Sequence, residues 1–163
     1  MIADRLQPWA LWLEQSGLGT AVRTSNWMYP AAEIGHLLGL GLLVGSAVAF
    51  DLRLLGAARR LPVDAIAAFL LPLARVGCGL MACTGALLFA ANATTMLSFV
   101  FGLKLTAILL ACTNAAVFHR GVFHGVADWN VDMPSPRRAR AAAVVSLCCW
   151  CIALICGRLL AYV

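Results

Sequence analysis

Four runs of largely apolar residues, each about 20 residues long, constrain the fold of this chain more than any other feature. A helix needs about 20 residues to cross the roughly 30 Å of hydrocarbon in a bilayer. A backbone in lipid must also satisfy its own hydrogen bonds, which favours helices here. We therefore predict an all-α integral membrane protein with a four-helix bundle. Its spans are predicted at about residues 30–50, 64–91, 97–119 and 141–162, within a transmembrane domain of residues 27–163.

The composition argues against a soluble globular domain. Hydrophobic residues make up 63% of the chain and charged residues 12%, against roughly 45–50% and about 25% in soluble domains. So few charges cannot cover a water-exposed surface, and we expect the lipid bilayer to be the main partner. The net charge of +5 does not indicate a nucleic-acid partner, because the basic residues lie in short clusters between apolar runs.

The charges of the connecting segments predict the topology. The segment near residues 92–96, between spans two and three, is uncharged. Arginines are concentrated after spans one and three, at Arg53, Arg59, Arg60, Arg120, Arg137, Arg138 and Arg140. Basic loops remain on the cytoplasmic side of the membrane. We therefore predict a multi-pass protein of the inner (cytoplasmic) membrane with both termini outside.

Residues 1–26 precede the first span and are predicted to form an interfacial amphipathic segment on the periplasmic side. Apolar side chains share one face of a helix there: Leu6, Trp9 and Leu13. Tryptophans on a short amphipathic helix are typical of the headgroup layer. The helix is predicted to end at Gly17 and Gly19.

Ionisable residues inside the spans are costly and indicate functional positions. With the predicted topology, Glu33, His36, Lys104 and Arg158 fall in one layer near the non-cytoplasmic surface. His119 lies fifteen residues beyond Lys104, or about 22 Å deeper. One haem bridged between the two intramembrane histidines is therefore not expected.

His36 has two interpretations. Its neutral imidazole is a candidate axial ligand to haem iron. Gly39 and the other glycines around it would let a flat macrocycle come close. Alternatively, these glycines pack helices together and His36 forms a hydrogen bond across the bundle. Glu33 is a candidate to orient His36 or to pair with Lys104, or it reaches water. Lys104 either neutralises a propionate or extends to the headgroups.

Seven cysteines all lie within apolar runs. A disulfide framework would place them in the loops of a secreted domain. The cluster at residues 148–151 is a candidate for soft-metal binding such as copper, but its cysteines point around the helix rather than to one face. Packing is the favoured interpretation.

Several stretches carry a family resemblance: WMYPAAEIGHLLGLGLLVGSAVAFDLRLLG, LPLARVGCGLMACTGALLF and FGLKLTAILLACTNAAVFH. They resemble an uncharacterised family of small bacterial four-helix membrane proteins and, more distantly, are similar to the HemJ-type protoporphyrinogen oxidases and copper-resistance-type membrane domains. The positions that match the HemJ-type pattern are His36, Arg53, Thr84, Gly85, Lys104 and His119. This resemblance implies a bacterial helical bundle that binds haem b, with His36 and Lys104 as the essential pair.

The favoured hypothesis is a small haem-b-binding membrane protein with a redox or electron-transfer role. His36 would bind the iron, while Lys104 and Arg158 neutralise propionates and Glu33 and Gly39 complete the site. A porphyrinogen oxidase-like enzyme would use the same site. A non-enzymatic accessory subunit of a larger membrane complex, a homo-oligomer and a copper-handling protein are further alternatives.

Overall fold

The computed structural model describes residues 2–162, in which every regular element is helical. Met1 and Val163, the outer limits of the two predicted segments, lie outside the described residues. In chain order the elements are α1 (Ile2–Glu14), α2 (Gly17–Thr24), α3 (Met28–Leu55), α4 (Val63–Ala91), α5 (Ala93–Met96), α6 (Phe99–Arg120), a 3₁₀ helix (Val122–Trp129) and α7 (Arg137–Leu159).

Four of these helices, α3, α4, α6 and α7, are long and apolar enough to cross a membrane. Each coincides with one predicted span, and α4 continues through Pro72. Large apolar side chains on their outer faces are exposed, among them Leu37, Phe69, Leu109 and Ile155. In a water-soluble bundle these positions would be polar.

Helices α3 and α4 pack through two glycines. A Cβ added at Gly77 would lie 2.7 Å from the carbonyl oxygen of Gly39 and 2.6 Å from the backbone nitrogen of Leu43. A Cβ at Gly39 would lie 2.9 Å from Cγ of Met81. The two backbones are therefore in direct contact, which is how small residues stabilise helix pairs in lipid.

Helices α6 and α7 pack through the small residues of α6. Ala107 and Ala111 are buried in a cluster with Cys149, Trp150 and Ala153 of α7. These alanines therefore serve helix packing, which is the commoner explanation for such a stripe. Helix α3 also packs against α7, and this contact joins the α3–α4 pair to the α6–α7 pair.

The backbones of α4 and α6 remain further apart over the described residues than those of the three packed pairs. Large side chains bridge them near one end, where the rings of Phe89 and Phe101 stack with centroids 5.2 Å apart and an interplanar angle of 10°. The bundle is thus closed at this end and more open further along the α4–α6 side.

Residues 56–62 and 121–136 meet at one end of the bundle, which we call the basic end. The Arg53 side chain holds them together: its Nε donates to the carbonyl oxygen of Leu61 at 2.8 Å, and its Nη2 donates to those of Arg59 and Asn130 at 3.1 and 2.9 Å. Residues 121–136 are therefore packed against α3, and Trp129 within this segment is buried.

The N-terminal helices pack at the opposite end, which we call the α5 end. The Glu14 carboxylate accepts hydrogen bonds from the Thr94 backbone nitrogen at 3.1 Å and from its hydroxyl at 2.6 Å. The prediction that Gly17 ends the first helix is confirmed in part, since α1 ends at Glu14, but a second helix begins at Gly17. Ser16 caps that helix by accepting from the Gly19 backbone nitrogen at 3.2 Å.

Candidate functional site

His36 lies half-buried on α3 against α4, where its Nδ1 is 3.1 Å from Oγ1 of Thr84. The Thr84 hydroxyl donates its single proton to the carbonyl oxygen of Leu80 at 2.6 Å. Thr84 must then accept from His36, so Nδ1 carries the proton. In the neutral ring Nε2 consequently carries the lone pair. This hydrogen-bond network assigns the tautomer.

The residue after Thr84 makes room for the imidazole. A Cβ added at Gly85 would lie 3.2 Å from Cε1 of His36. On the other side of the contact, a Cβ at Gly35 would lie 2.9 Å from Cγ2 of Thr84. The Thr84–Gly85 pair thus has two roles: the threonine fixes the ring through a hydrogen bond, and the glycine gives it space.

Lys104 approaches His36 from α6. Its Nζ lies against α7, 3.6 Å from the position of a Cβ at Gly157, and it is within electrostatic range of the His36 ring. The ammonium forms no ion pair with an acidic side chain in residues 6–162. The structure therefore brings together two residues predicted from sequence, His36 and Lys104, on different helices.

The other predicted site residues are placed elsewhere. Arg158 is exposed, and its Nη2 donates to the Tyr162 hydroxyl at 2.7 Å with the guanidinium 5.0 Å from the ring centroid. Glu33 is also exposed and makes no ion pair with Lys104. Gly39 is buried against Met81 and therefore packs a helix.

His119 lies near the basic end, where its ring stacks on Phe50 with centroids 6.0 Å apart. Phe50 follows His36 by fourteen residues on α3, or roughly 21 Å along the helix. The two histidines therefore sit at different heights, as expected from the sequence.

His36 offers one ring nitrogen, Nε2, to a ligand, because Nδ1 is bonded to Thr84. The ring has an available Nε2, and the Lys104 ammonium is free of ion pairs in the described chain. The side facing α4 is filled, because Gly35 and Gly39 are packed against it. A planar ligand on His36 would therefore extend towards α6, the helix that carries Lys104.

Residues 2–162 contain no group of three or more His, Cys, Asp or Glu side chains suited to holding a metal ion. All seven cysteines are free, so no disulfide framework is formed. Cys149 and Cys156 are buried, and Cys149 packs beside Ala107, as the packing interpretation predicts. The other five cysteines are exposed, so for them that interpretation is wrong. Histidines 119 and 124 do not form a metal site with Asp128.

A second polar site was missed from the sequence. A cavity of about 150 Å³ lies between α3, α4, α6 and α7 in the half of the bundle nearest the basic end, and the Asp51 side chain lines it. In the sequence Asp51 directly follows the predicted span 30–50, where a carboxylate is expected to cap the helix or to pair with a loop. The sequence feature that could have indicated this site is a carboxylate less than two turns from the end of an apolar helix. Only the orientation of α3 within the bundle shows that this side chain points inward.

No protein-family model matches the chain, and no curated protein or solved structure is significantly similar to it.

Proposed function

We propose that this chain is a multi-pass protein of the bacterial inner membrane, with the basic end in the cytoplasm and both termini outside. Four helices of sufficient length and apolar character support membrane insertion. Arginines cluster at the basic end, whereas the turn at residues 92–98 is uncharged. The N-terminal helices pack against that uncharged turn, so they lie on the same side as α5.

Helix α1 is proposed to lie in the headgroup layer at the α5 end. Trp9 and Trp12 are exposed on it, and indole rings favour this layer. The Trp9 ring also contacts Phe89 of α4, with centroids 6.1 Å apart. Together with the hydrogen bonds from Thr94 to Glu14, this contact supports a position of α1 at the α5 end of the bundle.

Within this membrane protein we propose a haem b site with a redox or electron-transfer role. The observation that carries the proposal is the contact between Nδ1 of His36 and Oγ1 of Thr84, from which we assign the tautomer. Thr84 accepts the Nδ1 proton and thereby leaves Nε2 available to a metal. Histidine ligands are usually held in this way by a hydrogen bond from the second ring nitrogen.

The chain's own residues would have distinct tasks at this site. His36 would bind the iron through Nε2, and Thr84 would keep the ring from rotating. Lys104 would balance a propionate charge within the bundle, where an unpaired carboxylate is costly. Haem iron bound there would supply one-electron chemistry, with a potential set by the axial ligand and by burial.

The test is an absorption spectrum of the protein purified in detergent after expression with added haem. We expect a Soret band in the wild type that is lost in His36→Ala. His124→Ala is the matched control, since His124 is exposed on the 3₁₀ helix, and it should retain the band. A wild-type protein without a Soret band would contradict the proposal.

A porphyrinogen oxidase-like enzyme is the first alternative, because the contact of His36 with the Thr84–Gly85 pair suits the HemJ-type resemblance equally well. The two functions separate in a complementation assay. Rescue of a strain that lacks protoporphyrinogen oxidase, and loss of rescue in His36→Ala, would favour the enzyme.

An accessory subunit of a larger membrane complex, or a homo-oligomer, is the second alternative. Gly41 and Gly45 are exposed on α3, with no atom within 4 Å of an added Cβ. Their spacing is that of a helix-packing motif that finds no partner within the described residues. Co-purification of a stoichiometric partner without a chromophore would favour this role.

A further inference from the structure

The cavity beside Asp51 is a separate site from the one at His36. Its walls are largely apolar and include the rings of Phe50, Phe118 and Trp150. It is enclosed by all four long helices, with small residues, Ala74 and Ala115, on the side where α4 and α6 are further apart. A ligand would therefore reach it laterally, between α4 and α6.

The Asp51 side chain is unusually placed for a carboxyl group. The residue is 5% exposed, and its Oδ2 has no hydrogen-bond partner within the described part of the chain. Ser146 of α7 lies beside the carboxyl but leaves Oδ2 unpaired. A buried polar atom without a partner is costly, so it indicates a missing hydrogen-bonding group.

The nearest arginine on the same helix does not fill this role. Arg53 points to the other side of α3, where its guanidinium binds the carbonyl oxygens of residues 59, 61 and 130. Asn114 of α6 also lines the cavity, and its Nδ2 donates to the Ala142 carbonyl oxygen at 2.9 Å. The Asn114 amide group is thus engaged with the α7 backbone.

The size and chemistry of the cavity restrict its occupant. An apolar cavity of about 150 Å³ holds one benzene-sized ring. Apolar walls disfavour a bare inorganic cation, whereas Asp51 requires a polar group. A hydroxyl meets both conditions: it is neutral, and it both donates and accepts, so it can pair with the carboxyl in either protonation state.

We propose that this cavity binds the head of a neutral, hydroxyl-bearing aromatic ring, a phenol or hydroquinone dissolved in the membrane, with the hydroxyl hydrogen-bonded to the Asp51 carboxyl group. Phe50, Phe118 and Trp150 hold the ring, and His119 at the margin offers a second polar contact. The site does not depend on haem binding at His36, which lies towards the α5 end.

The test compares two probes of nearly equal size, 4-fluorophenol and fluorobenzene, by fluorine NMR with the protein in lipid nanodiscs. Empty nanodiscs give the unsaturable lipid background, and competition by unlabelled phenol identifies specific binding. We expect saturable binding of 4-fluorophenol that is at least about tenfold tighter than that of fluorobenzene, because one probe completes the hydrogen bond.

Three variants sharpen the test. Asp51→Leu should abolish the preference for the hydroxyl, whereas Asp128→Asn, an exposed acidic residue on the 3₁₀ helix, should preserve it. Ala115→Leu should weaken binding of both probes, because it fills the α4–α6 side of the cavity. Equal binding of the two probes to the wild type would overturn the role of Asp51. Failure of both to bind would overturn the site as a whole. Neither result bears on the haem proposal, which is tested separately by the absorption spectrum.

Discussion

His36 and Thr84 are joined across the α3–α4 contact by a hydrogen bond of 3.1 Å, whose direction is set because the threonine proton is donated to Leu80. The bond fixes which ring nitrogen of His36 carries a proton. It therefore links helix packing directly to the chemistry available at the ring.

Replacing Thr84 with valine should free the His36 ring without changing the volume of the side chain. We expect nitrogen-15 NMR of the ring to show Nδ1 protonated in the wild type and a mixture of tautomers in Thr84→Val. If haem binds, its affinity should fall roughly tenfold, as when a partner of a metal-bound histidine is removed.

The matched control is Thr106→Val, because the Thr106 hydroxyl on α6 also donates to a helix carbonyl oxygen, that of Gly102, but away from His36. This variant should leave the tautomer unchanged. The same ring spectrum for Thr84→Val and the wild type would show that the hydrogen bond does not hold His36.

Gly77→Ala should destabilise the bundle by about 1–3 kcal/mol, the usual cost of overpacking. The added methyl group would lie 2.6 Å from the Leu43 backbone nitrogen, and a backbone atom cannot move aside as a flexible side chain can. Gly79→Ala, on the same helix, should be neutral or slightly stabilising, because nothing lies within 4 Å of its Cβ. Unfolding in mixed detergent measures both variants, and equal stabilities would contradict the close contact.

The long helices could be predicted from the sequence because membrane thickness sets their length independently of tertiary contacts. The end of the first helix was harder. Gly17 and Gly19 were predicted to end the helix, yet Ser16 caps a new helix that contains both glycines. Gly19 is required there because an added Cβ would lie 2.7 Å from the Ala90 carbonyl oxygen. A long-range contact of this kind leaves no local pattern.

The depth of the candidate site residues along their helices could be predicted from the sequence, but the direction in which their side chains point could not. Counting residues along each span predicts that His36 and Lys104 lie at a similar depth. The direction in which each side chain points depends instead on how the helices pack. Arg158 shares the predicted layer but binds Tyr162 one turn away on its own chain segment. Asp51 was missed for the same reason, since its inward direction depends on the α3–α4 contact.

Arg53→Ala should cost about 3 kcal/mol, because it removes three hydrogen bonds from a buried, charged donor to backbone carbonyl oxygens. The side chain is 2% exposed and joins α3 to both segments of the basic end. Arg53→Lys should recover only part of this stability, since an ammonium cannot reproduce the planar arrangement of guanidinium donors. Arg60→Ala is the control, because Arg60 is exposed, and it should change the stability little. Similar losses for Arg53→Ala and Arg60→Ala would show that the buried network is not what holds these segments.

The attachment of the N-terminal helices should depend on pH through Glu14. Hydrogen bonds from the Thr94 hydroxyl and backbone nitrogen, with a further contribution from Arg23, lower the pKa of the Glu14 carboxyl from its usual value near 4.5. A group whose pKa is lowered by folding contributes stability at pH values above its unfolded pKa. This contribution is lost as the pH falls below 4.5 and through the folded pKa.

Hydrogen exchange of residues 6–24, compared between neutral pH and values below 4.5 after correction for the intrinsic rate, measures this attachment. We expect protection of the α1–α2 segment to decrease selectively in acid, while α3 and α4 remain protected. Glu14→Gln should remove most of this pH dependence, because the amide does not titrate, whereas Glu33→Gln, at an exposed position of α3, should retain it. An acid-induced loss of protection that is unchanged in Glu14→Gln would assign the pH dependence to another group.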